Sequence, residues 1–479
     1  MSKYTPEMEK VPALLAELWQ LLRQVQHFFR QERVFRRVVA LLFGELFALG
    51  RHTVTQLLRA LGATDQDWGA WYRLFSRPRF AEAVLAGQLL VETLRHVAEP
   101  MPYVTTVDGV RIPRSGQRVA GSSWWPGQNT APFDRGLTRG QRFVEVAWLT
   151  PTEDSYCRAV PLRWWPAPTE RAVPCAAKPC KEWEAGLAAL HWVRQEMDAH
   201  GRTEQVLVAV VDGTYDTQGI WREVPERTVV LVRCARNRAL YALPPAHNGR
   251  RGAPARYGPR LEAPWKYLRH RKQLTTLTVR IRGWERHLAY RVVGPVLVEG
   301  TPQRPLFLIA VSGRSKYLEG RHPRRTQRRP TYYLVNAVQG AEGIWQLPFP
   351  AEQLLVWAWQ RWECELAHRE MKSGLGIGEK QCWGPRAALT SVQWGVWVYG
   401  LCVLAAYRTW GVTGGPRRAG SWYRRARRWS FATMWQAYRA ALWEVAEFRP
   451  LYTVTLDKWL QKESWMTGLH NALLDPARI

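Results

Sequence analysis

The sequence predicts an α/β protein: a mixed β-sheet core, interrupted by an antiparallel β insertion, with helical regions at both ends. Three observations predict it. Apolar residues at three-and-four spacing fill most of the first hundred positions, as in "VPALLAELWQLLRQVQHFF", and that period belongs to helices. From "YVTTVDGVRI" onward, β-branched runs bounded by turn residues alternate with helical stretches, the pattern of a mixed α/β sheet. Between about Gln273 and Pro348, four strand-like runs follow one another with no helix between them, and short connections make antiparallel neighbours.

Residues 1–100 are read as a helical unit and a candidate DNA-binding region. In "HTVTQLLRALGATDQDWGAWYRLFSR", Thr53 caps a short helix, Gly62 ends it and Asp65 caps the next, following ordinary cap preferences. That is a helix-turn-helix pattern carrying Arg59, Arg73 and Arg77, although a plain αα-hairpin has the same signals. Residues 101–272 open the core. "YVTTVDGVRI" is a strand ending on Asp108, followed by a Gly- and Arg-rich loop. "RFVEVAWLTP" and "SYCRAVPLRWW" are two further strands, and "KEWEAGLAALHWVRQEMDAH" is an amphipathic helix. "QVLVAVVDGTYD" is an apolar strand ending on Asp212, "TQGIWREV" a short helix and "RTVVLVRC" a fifth strand. Three strands on short connections are antiparallel, and a helical crossover then favours a parallel neighbour. That order is RNase H-like. Residues 273–348 form the β insertion, 349–400 return to the core through a charged helix, and 401–479 are a C-terminal helical region.

The charge balance narrows the function. Sixty-eight Lys and Arg oppose forty Asp and Glu, for a net charge of +28. Such a surplus favours a polyanionic partner, nucleic acid first. The basic runs "RSKYLEGRHPRRTQRRP" and "PRRAGSWYRRARRW" interleave Arg with Tyr and Trp, a combination suited to phosphates and bases. No signal-like segment opens the chain, and the apolar run Val392–Tyr407 is shorter than the roughly 20 residues that cross a bilayer. That run is read as a buried helix, with no membrane partner and a cytoplasmic protein expected. The seven cysteines are irregularly spaced; Cys175 and Cys180 lack a second pair for a zinc site, and all seven are expected to be reduced thiols.

Within "WAWQRWECELAHREMK", Arg361, Glu365, His368 and Lys372 fall at i, i+4, i+7 and i+11, one stripe of a helix. Alone, such a stripe is a solvated face with ion pairs of about 0.2–0.5 kcal/mol each. Its context changes the reading. Parallel neighbours would bring Asp108 and Asp212 side by side at strand ends, where α/β sites usually lie. Glu365 would join them from the later helix. Carboxylate oxygens suit Mg²⁺, and two such ions support phosphodiester cleavage. Alternatives stand beside each acid. Asp108 before Gly109 and Asp212 before Gly213 also read as turn formers, Asp216 competes with Asp212, and Glu363 with Glu365. Glu365, unlike Glu363, shares the face of Arg361 and Lys372.

These motifs resemble a bacterial insertion-sequence DDE transposase of the group with a Y-R-E-K signature, over roughly residues 30 to 410. "RWECELAHREMK" supplies Arg361, Glu365 and Lys372 in the signature's register; "TTVDGVRIPRSG" and "VVDGTY" resemble the two Asp motifs. The resemblance implies a cut-and-paste enzyme that hydrolyses and rejoins DNA with two Mg²⁺ ions, with Mn²⁺ as a substitute. Asp108, Asp212 and Glu365 would be catalytic metal ligands. Arg361, Lys372, His368, Arg369 and Trp359 would contact double-stranded DNA, both element ends and target, within a homodimer. The signature Tyr falls on Ala358; an aromatic that stacks a flipped base in the family has its nearest matches in Tyr332 and Tyr333. Two other readings are a domesticated relative that binds DNA without cutting and a general nuclease of the same fold.

Overall fold

The computed structural model describes residues 11–63, 65–127, 136–245, 254–317, 325–417 and 427–444. Residues 318–324 and 418–426 of the two basic runs lie outside them, as do 1–10 and 445–479 of the terminal regions.

Five helices come first: α1 (Ala13–Val25), α2 (Glu32–Phe47), α3 (Val54–Ala60), α4 (Trp68–Ser76) and α5 (Glu82–Leu94). Their apolar faces share one core with the sheet. Thr53 caps α3 by accepting from the Gln56 N–H at 3.2 Å, and Gly62 follows the helix at φ +66°, a conformation open to glycine. The cap of α4 is Asp67 rather than Asp65. Asp67 directly precedes the first helical residue and accepts from the Gly69 N–H at 2.9 Å, which Asp65 is too distant to do.

The core strands are β1 (Tyr103–Pro113), β2 (Ser122–Pro126), β3 (Leu137–Leu149), β4 (Ala159–Pro166), β5 (Leu207–Val211) and β6 (Thr228–Arg233). Helix α6 (Glu182–Ala199) crosses from β4 to β5, and α7 (Gln218–Glu223) from β5 to β6. β1 pairs antiparallel with β3, and β3 with β4; β1–β5 and β5–β6 are parallel. β2 lies in the stretch read as a loop, and its pairing with the start of β3 is a long-range contact that Gly and Arg content does not announce. The later strands are β7 (Thr275–Ile281), β8 (Trp284–Val296), β9 (Leu306–Tyr317) and β10 (Arg325–Asn336), followed by the small hairpin of β11 (Val338–Gln339) and β12 (Trp345–Gln346). β7 to β10 do not make a sheet of their own. β10 pairs antiparallel with β6, so one sheet runs β2-β3-β1-β5-β6-β10-β9-β8-β7, with β4 on β3. Asn336 fixes the junction: its Oδ1 accepts from the Val230 N–H at 2.7 Å and its Nδ2 donates to the Thr228 carbonyl at 3.0 Å.

The remaining helices are α8 (Ala351–Gln360), α9 (Trp362–Arg369), α10 (Ala387–Trp410) and α11 (Phe431–Glu444). α10 extends beyond the apolar run on both sides. By length and composition it could cross a membrane, yet 89% of its apolar window is buried inside the protein. It packs on β4 so closely that a Cβ at Gly400 would stand 2.4 Å from the Pro161 carbonyl oxygen. Alanine is the better helix former by about 1 kcal/mol. Here backbone blocks the methyl, so Gly400→Ala is expected to destabilise by about 1–3 kcal/mol; a urea midpoint raised by the substitution would refute the close packing. All seven cysteines are free, five of them buried.

Candidate active site

Parallel pairing of β1 with β5 runs from Tyr103↔Leu207 to Val107↔Val211. Asp108 and Asp212 are the next residue of each strand, so the register sets them side by side. β5 stops there and the chain turns through Gly213–Tyr215. β1 does not stop at Asp108 as the sequence reading had it. It continues to Pro113 because β3 stays paired with it, Asp108 opposite Glu145. Asp108–Gly109 is therefore no turn. The glycine answers a different need: a Cβ at 109 would lie 2.2 Å from Glu182 Oε1, so its absence lets the Glu182 carboxylate rest against the strand beside Asp108.

The charged helix is two segments, α8 and α9, meeting at Arg361, whose backbone stays helical at φ −48°, ψ −31°. Arg361 is the link of the site. One guanidinium nitrogen donates to Asp108 Oδ2 and the other to Glu365 Oε1, each at 2.8 Å. Asp108 and Arg361 keep 17% of their side-chain surface and Glu365 33%. Burial raises the Asp108 and Glu365 carboxyls above their ordinary range, with Arg361 pulling both the other way. Burial also opposes the charge on Arg361, but Asp108 chiefly, with Glu365, holds the guanidinium protonated.

The competing acids have other partners. Glu363 is buried between Arg282 Nε at 2.9 Å and Arg428 at 2.7 Å. Asp216 pairs with Arg238 at 2.9 Å and accepts from the Trp221 indole at 3.0 Å. Asp212 instead lines a cavity of about 970 Å³ together with Arg236, Trp265, Arg269, Arg329 and Tyr332. Arg236 and Arg269 lie over the Trp265 ring at 5.6 and 4.1 Å, a cation–π arrangement.

The proposed DNA-contact residues divide. Arg369 is exposed at the end of α9. Lys372 follows in the single π-helical turn Glu370–Gly374, a deviation often found at functional sites. Burial lowers the Lys372 ammonium, with Glu145 and Asp108 offsetting it, and among the described residues it forms no ion pair. His368 is buried, not on the exposed stripe. It is turned inward, 3.3 Å from Glu145 and edge-on to Trp164, because an apolar-flanked carboxylate needs partners there more than the surface needs a cation. Trp359 is half-buried under the Arg286 guanidinium. Tyr332 and Tyr333, neighbours in β10, are both buried; Tyr332 lines the cavity with Asp212, and Tyr333 points to the opposite sheet face. Ala358 is buried as well.

Four members of the neighbourhood were missed. Glu145 is wholly buried on β3 and accepts from the Trp164 indole; a lone acid in "FVEVAW" was the available signal. Glu182, raised by burial, feels both Asp108 and Asp212. Cys364 is buried against Glu145. The Tyr215 hydroxyl is buried without a hydrogen-bond partner among the described residues, in the field of Glu182, Asp108 and Asp212. Neither gave a sequence signal.

The fold and site define an acidic centre where the parallel pairing of β1 and β5 ends, with cations set between and around the carboxylates. The family described as DDE superfamily endonuclease matches residues 24–289, more than half of the chain. The chain belongs to that family. It is accordingly a nuclease whose expected substrate is DNA, and nucleases of the superfamily generally use divalent metal ions. The match takes in Asp108 and Asp212 and ends in β8; Glu365 lies beyond it. Comparison with curated proteins gives no match. The donor set fits a hard ion: Asp108, Asp212 and Glu365 offer only oxygen, the Arg361 guanidinium already marks a cation position between two of them, and the orphaned Tyr215 donor suits an ion's water shell.

Proposed function

We propose that the protein is a DDE transposase of the insertion-sequence type, with an RNase H-like core extended by the β7–β10 insertion, cutting and rejoining double-stranded DNA. The observation that carries this reading is the Arg361 bridge, which ties Asp108 on β1 to Glu365 on α9 while Asp212 stands beside Asp108. Asp108, Asp212 and Glu365 would hold two Mg²⁺ ions, or Mn²⁺. When bound, such ions activate a water and stabilise the leaving oxygen of a phosphodiester. Arg361 keeps the Asp108 and Glu365 carboxylates converged and their mutual repulsion low. Lys372 and Arg369 receive backbone phosphates beside them, and Tyr332 offers a base a stacking surface next to Asp212. A homodimer holding two element ends, on the bacterial nucleoid, completes the proposal.

The test is strand cleavage of the element's own end DNA in Mg²⁺, wild type against Asp108→Ala. Cuts at the end that vanish in the variant support the reading. Tight binding without cuts in Mg²⁺ or Mn²⁺ indicates a DNA-binding relative, and equal cutting of unrelated duplexes a general nuclease. Lys372→Ala is expected to slow cleavage about 10- to 100-fold, the value of one charge-assisted contact of roughly 1.5–3 kcal/mol. An unchanged rate would return Lys372 to the solvated surface.

A further inference from the structure

Behind the oxygen-only acids lies a second donor set of different chemistry. Cys364 and His368 are one turn apart on α9 and share a face. Cys364 Sγ stands 3.6 Å from His368 Nε2 and 3.1 Å from Glu145 Oε1. His368 Nε2 is 3.3 Å from Glu145 Oε2. A tetrahedral ion with bonds of about 2.0–2.3 Å sets its donors roughly 3.3–3.6 Å apart, so these side chains already hold nearly that spacing. Asp108, Cys364 and His368 each place a donor atom within 4.8 Å of the other two. Asp108 keeps the group open to solvent at one corner, while Cys364 is fully buried.

We propose that Asp108, Cys364 and His368 form a Zn²⁺ site distinct from the Mg²⁺ site and sharing Asp108 with it, with the Glu145 carboxylate lying against the Cys364 and His368 donors. Thiolate and imidazole select a softer ion than carboxylates alone do. Binding takes the thiol proton of Cys364 to solvent, together with any proton on His368 Nε2, so that the ring ligates through a free lone pair; no electron moves. A divalent ion there also compensates the Glu145 and Asp108 carboxylates, beside which His368 and Arg361 lie. If Asp108 serves cleavage as proposed above, Zn²⁺ opposes Mg²⁺ by withdrawing that ligand.

The test uses the full chain without Mg²⁺, titrated with Co²⁺ as the spectroscopic probe. The expected result is a thiolate-to-cobalt charge-transfer band with the intense visible bands of tetrahedral Co²⁺, both bleached by Zn²⁺. Cys364→Ser removes the charge-transfer band. His368→Ala lowers Co²⁺ affinity by at least about 10-fold, the size that loss of even an outer partner produces. Replacing Cys175 and Cys180 by Ala leaves the band in place. A wild-type protein without the band overturns the site, with no variant needed, as does a band that survives Cys364→Ser or disappears with Cys175 and Cys180. These readouts do not depend on cleavage, so failure of the Zn²⁺ site and failure of the transposase reading are told apart. Under that reading, Zn²⁺ also slows Mg²⁺-dependent cutting of end DNA.

Discussion

Glu365→Gln is expected to bind element-end DNA as wild type does and to cut it on the order of 10³-fold more slowly or worse. The substitution keeps size and hydrogen-bonding capacity and removes one charge. Several kcal/mol of metal-ion stabilisation then lack a ligand, and each 1.36 kcal/mol is tenfold in rate. Stability should change little. Glu365 keeps a third of its surface, and an exposed ion pair is worth about 0–1 kcal/mol. Arg361 retains Asp108 at 2.8 Å, so its charge is not stranded. Gel-shift affinity within a few-fold of wild type, set against single-turnover cleavage, separates binding from chemistry. Cleavage near the wild-type rate would remove Glu365 from the site.

Much of this site was legible because its parts obey local rules. The apolar run before Asp212 could be only a buried strand, and a helix between strands demanded a parallel partner, so the meeting of Asp108 with Asp212 followed from order alone. The choice of Glu365 over Glu363 came from helical geometry, and the pairs that each makes agree with the face argument. What stayed hidden depends on distant residues. Gly109 looked like a turn because the reason for it, the carboxylate of Glu182, arrives from another element. His368 looked exposed because helical spacing cannot show Glu145 across from it. The joining of β10 to β6 brings together segments separated by a hundred residues, and no local pattern records it. The missed cavity wall, Trp265 between Arg236 and Arg269, sits in a stretch with little periodicity.

The neighbouring acid should behave in the opposite way. Glu363→Ala is expected to destabilise the protein by about 3–5 kcal/mol, the cost of breaking a buried ion pair from one side. Glu363 keeps 1% of its surface and divides its two oxygens between Arg282 and Arg428. Arg428 also donates to the Cys157 carbonyl at 3.0 Å, and Glu363 offsets the burial that would otherwise lower its guanidinium. Removal leaves both cations facing a cavity without a counter-charge. The three residues come from α9, from the turn between β7 and β8 and from the segment before α11, so the loss is expected to loosen the β7–β8 hairpin and α11 together. Guanidinium-induced unfolding measures it, and the triple variant Glu363→Leu, Arg282→Met, Arg428→Met should recover most of the loss, since an apolar replacement of a buried pair is often neutral. A Glu363→Ala midpoint equal to that of wild type would mean that the two pairs contribute nothing to stability. The contrast is the sharper expected result: two glutamates two positions apart on the same helix, the loss of one expected to cost stability and of the other to cost chemistry, because about 200° of helical rotation turns one toward arginines in the core and the other toward Asp108.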